Sequence, residues 1–142
     1  MTEQNFKNHA RFVIGYHVIS FVAILALLVG SFINLAHSAK ENLYSASLIC
    51  LIAVILGLFF VFLRTFPLRA QDRAIRAEES LRHFILTGKP LSDKLTINQV
   101  IALRFASDNE YLDLISKTLN QNLTPKQIKE SIKNWRADYH RA

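Results

Sequence analysis

The stretch SASLICLIAVILGLFFVFL, Ser45–Leu63, carries no charge, and RTFPLRAQDRAIRAEE follows it directly. Thirteen of its 19 residues are Leu, Ile, Val or Phe. At roughly −0.3 to −0.6 kcal/mol each, these outweigh Ser45, Ser47 and Gly57 at the centre of a bilayer. About 20 apolar residues cross ~30 Å of hydrocarbon, so the stretch reads as a membrane-spanning helix. The competing reading is a buried helix of a soluble protein, but a chain this short has few ways to cover such a helix on every side. Arg64, Arg69, Arg73 and Arg76 then form a basic collar against a single early acid, Asp72.

Working outward toward the N-terminus, Phe12–Leu35 is a second apolar segment of 24 residues, 15 of them Leu, Ile, Val or Phe. It is long enough to span with some tilt. A cleaved signal peptide is the alternative, with Ala36-His37-Ser38 as a small-residue cleavage site, but the apolar core is too long for that. Lys7 and Arg11 precede this segment, Lys40 alone (offset by Glu41) lies in the 36–44 connection, and four arginines follow the second span. The excess of positive charge faces the cytoplasm, which puts residues 1–11 and everything after residue 63 inside, with 36–44 as a short external loop. Ala26-x-x-x-Gly30 and Ala53-x-x-x-Gly57 are small-x-x-x-small pairs that let two helices approach closely in lipid. They are the expected packing face of an antiparallel two-helix hairpin. His17 lies near the cytoplasmic edge and reads as an interfacial histidine. Neither span holds a carboxylate, which argues against a transport path through one copy alone.

The chain has 142 residues, a net charge of +6 and one cysteine, Cys50, inside the second span. No intramolecular disulfide or cysteine metal cluster can form. Residues 64–142 hold 14 Lys/Arg against 9 Asp/Glu. That balance suits anionic lipid or an acidic partner, and it is too diffuse for a typical nucleic-acid binder.

Residues 64–87 read as a basic juxtamembrane helix, which Phe66-Pro67 can kink or restart. Ala70, Ala74, Ala77, Leu81, Phe84 and Ile85 recur at three- and four-residue steps. Arg69, Arg73 and Arg76 share a neighbouring face, suited to lipid phosphates at ~1 kcal/mol each, or to local pairs such as Arg76–Glu79. Gly88 and Pro90 stop the helix. Residues 88–142 then form a small helical domain of three short helices, each opened by a capping box: Thr96-x-x-Gln99, Ser107-x-x-Glu110 and Thr124-Pro125-x-Gln127. The first runs to about Ala106 and is apolar nearly all round. The second has Tyr111, Leu112, Ile115 and Leu119 on one side, and the third an Ile128, Ile132, Trp135 and Tyr139 stripe. The core is small, worth about 3–5 kcal/mol by itself, so docking on the long helix, the membrane or another copy is expected.

No set of side chains announces chemistry. The five histidines are scattered without metal-ligand spacing, four glycines form no phosphate loop, and no nucleophile has a base beside it. The expectation is no catalytic residue, no metal and no cofactor. Arg104 and Asp108 are expected to form a local ion pair. Lys126, Lys129, Lys133 and Arg136 are expected on one side of the last helix as a partner-facing surface, with Glu130 and Asp138 interrupting the charge.

Four strings carry a family resemblance: Gln4-Asn5-Phe6-Lys7-Asn8-His9, Gln71 to Glu79, Leu103-Arg104-Phe105-Ala106-Ser107-Asp108, and Lys133-Asn134-Trp135-Arg136-Ala137-Asp138. On them the chain resembles an uncharacterised family of small bacterial membrane proteins, mostly from Bacteroidota, catalogued only as a domain of unknown function. The resemblance implies the same two-span layout and brings no activity. The expected fold is therefore all-α: a transmembrane hairpin, a long juxtamembrane helix and a small cytoplasmic helical domain in the bacterial inner membrane. The expected role is a membrane-tethered interaction module or accessory subunit, with anionic lipid headgroups and a protein partner or second copy as its contacts. An oligomeric transport or channel component is the alternative, and a membrane-bound nucleic-acid binder a more distant one.

Overall fold

The computed structural model describes residues 4–6, 8 and 12–138. Lys7, His9, Arg11 and Tyr139, used above, lie outside them. Among the described residues the protein is all-helical apart from one isolated antiparallel bridge, Ala106–Trp135. A π-helical turn, Gly15–Ser20, runs into α1 (Phe21–His37), and a 3₁₀ turn, Lys40–Asn42, leads into α2 (Leu43–Thr87). Three short helices follow: α3 (Ile97–Leu103), α4 (Asp108–Gln121) and α5 (Pro125–Ser131). Two helical segments, Gly15–His37 and Lys40–Thr87, are long and apolar enough to cross a membrane. The expected second span and juxtamembrane helix are one element, because α2 runs through Pro67 without restarting. The missing proline N–H costs the helix a single backbone bond at that turn. The chain divides into two units, Phe12–Pro67 and Leu68–Ala142 with Met1–Arg11.

In the Phe12–Pro67 unit the buried residues are small: Ser31, Ala46, Cys50 and Ala53. A Cβ on Gly57 would lie 3.9 Å from Ile24 and Leu28. The Tyr16 hydroxyl donates to the Phe60 carbonyl, and their rings stack at 4.6 Å. Ser31 satisfies its hydroxyl within its own helix, at 2.8 Å from the Leu28 carbonyl. His17 turns its ring to the backbone, accepting from the Val13 N–H at 3.1 Å. Ala53 and Gly57 therefore face α1, as their spacing suggested. Ala26 and Gly30 do not face α2: both are exposed, and nothing lies within 4 Å of a Cβ on Gly30. Ile24, Leu28 and Ser31 meet α2 instead, and at 3.6 residues per turn Ala26 and Gly30 fall on the far side of that helix. Large apolar side chains such as Leu25, Phe32, Leu51 and Phe59 stand 49–57% exposed.

The second unit has a conventional core of Leu91, Leu95, Val100, Ala102, Leu103, Ala106, Tyr111, Leu114, Ile115 and Ile128, with Leu123 and Ile132 against it. Thr96 and Thr124 form complete capping boxes with Gln99 and Gln127, and Pro125 takes the first helical position. Gly88 leaves α2 at φ +68, where only glycine is unstrained. The Ser107 box does not form. Ser107 makes no side-chain cap bond, and the Glu110 carboxylate instead accepts the Lys133 and Asn134 backbone N–H groups at 3.0 and 2.9 Å. Two further helix bounds are shorter than expected. α3 stops at Leu103 and α5 at Ser131, because the backbone around Phe105–Ser107 pairs with Asn134–Arg136: Arg136 N–H donates to Phe105 O at 2.7 Å, and Ser107 N–H to Asn134 O at 3.2 Å. The Ile132 and Trp135 stripe is thus not helical, although Trp135 still packs, its ring stacked on Phe105 at 4.6 Å. In α4 the buried face is Tyr111, Leu114, Ile115 and Thr118, with Leu112 and Leu119 partly exposed. Thr118 enters the core because its hydroxyl is satisfied by the Leu114 carbonyl at 2.7 Å.

Between residues 68 and 87, α2 buries Ile75 and Glu79. The apolar set Ala70, Ala74, Ala77, Leu81, Phe84 and Ile85 lies on the opposite face and is exposed. The small helices do dock on the long helix, but on its charged side.

Candidate functional site

Glu79 occupies the centre of the second unit at 5% exposure. A carboxylate is tolerated there only if paired and hydrogen-bonded, and Arg82 supplies the pair at 3.1 Å, with Arg136 at 3.9 Å. Arg82 is spent fully. Its Nε donates to Asp108 at 2.8 Å, one Nη to the Ala106 carbonyl at 2.7 Å, and its plane lies 4.1 Å over the Tyr111 ring. The Tyr111 hydroxyl donates to the Glu79 backbone carbonyl at 3.2 Å. Burial, reinforced by the Glu79 charge, holds the Tyr111 phenol well above the usual tyrosine range.

A second pair lies beside the first. Buried Arg104 meets Asp138 at 3.1 Å, and its guanidinium stacks over Phe105 at 4.6 Å. Gln4 grips the Asp138 backbone at both ends, accepting its N–H at 2.7 Å and donating to its carbonyl at 3.1 Å. The expected Arg104–Asp108 pair is therefore replaced by Arg104–Asp138 and Arg82–Asp108. The two residues would be helical neighbours only in an unbroken helix, and the chain leaves the helix between them. Arg76 likewise pairs with Asp93, at 3.9 Å, and with the Leu95 carbonyl, rather than with Glu79.

Two concave surfaces border this centre. A cleft of about 470 Å³ is walled by Gln71, Ile75, Glu78 and Glu79 of α2, by Arg104, and by Arg136 and Asp138. Residues from all four strings singled out by resemblance meet there or hold its wall: Gln4 through Asp138, Gln71 to Glu79, Arg104, and Arg136 to Asp138. A groove of about 590 Å³ is lined by Arg69, Asp72, Arg73, Arg76, Ala77, Ser80 and Ile97. Three of the four expected lipid-contact arginines thus share one groove. Arg64 lies in the other unit. The expected basic row on the last helix is split. Lys126 pairs with Glu130 at 3.9 Å, and Lys129 sits 5.6 Å over Phe105. Lys133 and Arg136 lie beyond α5 and give their backbone N–H groups to Glu110 and Phe105. The sequence alone points neither to Arg82 nor to the partners that Glu79, Gln4 and Glu110 take in the fold. The i,i+3 spacing of Glu79 and Arg82 was the available signal, but it looks the same on a solvated face.

Such an arrangement holds charge in fixed internal pairs and leaves arginines and apolar side chains at the surface. It defines a class: an all-helical protein with two membrane-length apolar helices and a small helical unit closed around arginine–carboxylate pairs. The chain belongs to a family of unknown function, DUF6526, whose model matches residues 1–142. No curated protein and no solved structure matches it.

Proposed function

We propose that this is an integral protein of the bacterial inner membrane that acts as a membrane-tethered interaction module or accessory subunit. The two apolar helices form an antiparallel hairpin in the bilayer, residues 1–11 and 64–142 face the cytoplasm, and the Arg69–Arg73–Arg76 groove meets anionic lipid headgroups. Its task is to hold contacts, not to turn over a substrate. One observation carries this reading. The polar groups at the centre of the helical unit are consumed by internal pairs (Arg82–Glu79, Arg82–Asp108, Arg104–Asp138), whereas Arg69 and Arg73 and the large apolar Leu81, Phe84 and Ile85 stand exposed. Buried pairs with both partners in place hold geometry, and exposed apolar patches flanked by charge make contacts.

The test has two readouts. Extraction of native membranes in mild detergent, with a tag on the protein, recovers a specific partner or a self-associated species; recovery of the bare monomer alone counts against the module. In a Cys50→Ala background, the variant Lys126→Cys is shielded from a membrane-impermeant maleimide in intact cells and reacts after lysis. Labelling in intact cells overturns the orientation.

A further inference from the structure

The face of α2 opposite Glu79 has no partner among the described residues. Ala70, Ala74, Ala77, Leu81 and Phe84 recur at steps of four and three, and Leu81, Phe84 and neighbouring Ile85 are 60%, 54% and 73% exposed. The last four of the series fit alternating a and d positions of a heptad, with Ala74 and Leu81 at a and Ala77 and Phe84 at d. In that register Arg73 falls at g and Glu78 at e. Both are exposed, and neither forms an ion pair with another described residue. In a parallel pair of identical helices, g of one copy faces e of the next heptad in the other. Arg73 of each copy then meets Glu78 of its mate, twice, by symmetry.

We infer that this face is a parallel homodimer seam, in which α2 of one copy packs on α2 of a second. The opposite signs on the two flanks select this occupant. A helix lying on anionic lipid is flanked by basic residues on both sides, and Glu78 on one flank would be repelled. The small residues Ala70, Ala74 and Ala77 allow close approach, while Leu81 and Phe84 supply apolar burial. Arg73 stands at the edge shared with the basic groove, so its pairing leaves Arg69 and Arg76 to that groove. The seam is short. Its 16 residues (70–85) span about 24 Å, too short a contact to bury the ~800 Å² per partner of a standard stable interface. Association therefore needs both copies confined to one membrane in one orientation, which raises their effective concentration and also makes the pair parallel. The inference rests on the membrane reading in that respect.

Membranes from cells expressing the full chain test it. In a Cys50→Ala background, Ala77→Cys or Leu81→Cys is oxidised with copper phenanthroline, with Lys117→Cys on α4 as an exposed control. The expected result is disulfide-linked dimer at Ala77→Cys and Leu81→Cys but not at Lys117→Cys. Adding Arg73→Glu places like charges across the seam and lowers the yield about tenfold, equivalent to about 1.4 kcal/mol. The double swap Arg73→Glu with Glu78→Arg restores it. Equal linkage at Lys117→Cys, or linkage indifferent to Arg73→Glu, overturns the seam. Protein that stays in the membrane through alkaline carbonate but does not link overturns the seam and leaves the membrane reading standing. Release by carbonate overturns that reading, and the parallel seam with it.

Discussion

Within the Phe12–Pro67 unit, α2 meets its neighbour through Ala46, Cys50, Ala53 and Gly57; within the other unit the same helix packs through Ile75, Glu79 and Arg82. Ile75 apart, the bulky apolar side chains point away from the contact in both halves: Leu51, Ile52 and Phe59 in one, Leu81, Phe84 and Ile85 in the other. The forces behind the two contacts differ. Small residues permit close backbone approach, which gives van der Waals contact with little else required. A buried carboxylate demands its counter-charges in place, and the attraction holds only while every member of the set is present. One contact tolerates the loss of any polar group and fails if filled. The other tolerates some change in bulk and fails if a charge is removed.

The largest expected effect follows from that asymmetry. Glu79→Ala leaves Arg82, whose side chain is only 10% exposed, without its buried counter-ion, and removing one member of a buried pair costs about 3–5 kcal/mol. The chain has a single tryptophan, Trp135, stacked on Phe105 within this unit. Denaturant titration of the detergent-solubilised protein followed by its fluorescence reads the loss directly. A loss below about 1 kcal/mol would be that of an exposed ion pair, and the contrast between the two halves of α2 would fall.

The complementary change fills the small-residue seam. Ala53 is fully buried, so Ala53→Leu forces the helices apart at about 1–3 kcal/mol, the usual cost of overpacking. Gly30→Leu, inside α1 with nothing within 4 Å of its Cβ, loses no stability and gains up to about 1 kcal/mol of helix propensity. Loss of helical ellipticity on titration with SDS compares the two variants. Equal effects, or a loss at Gly30 alone, would return the packing face of α1 to the Ala26 and Gly30 side.

What could be read from the chain alone follows the same division. The apolar helices, the stop at Gly88 and the Thr96 and Thr124 caps depend on neighbours within a turn or so, and a local window contains them. The contact face of α1 does not: Ala26 and Gly30 obey the small-residue spacing as well as Ser31 does its own role, and only the partner helix decides between them. The site was the least legible part. Glu79–Arg136, Arg104–Asp138 and Gln4–Asp138 join residues 34 to 134 positions apart, and nothing local distinguishes them from surface charges. Lys133–Asp138 reads as a continuation of α5 because its apolar residues keep helical spacing. Its backbone is taken by Phe105, Ser107 and Glu110 instead, a competition visible only once the chain is folded.

Ser107 and Glu110 isolate that competition, with the smallest expected effect of the set. A working Ser N-cap loses about 1 kcal/mol on change to Ala, and a local capping box would make Ser107→Ala and Glu110→Ala costly together. In this structure the Ser107 hydroxyl is buried with no hydrogen-bond partner among the described residues, so Ser107→Ala removes a desolvated polar group and leaves stability unchanged or slightly raised. Glu110→Ala returns the exposed Lys133 and Asn134 N–H groups, both of which it now accepts, to water, at about 0.5–1.5 kcal/mol. The double variant should then lose no more than Glu110→Ala alone, because the two side chains share no bond. A Ser107→Ala loss that disappears in the Glu110→Ala background would instead mean that the box forms in solution. The 132–138 segment would then be held without Glu110, by Arg104, Arg136, Gln4 and the Ser107 N–H bond to Asn134.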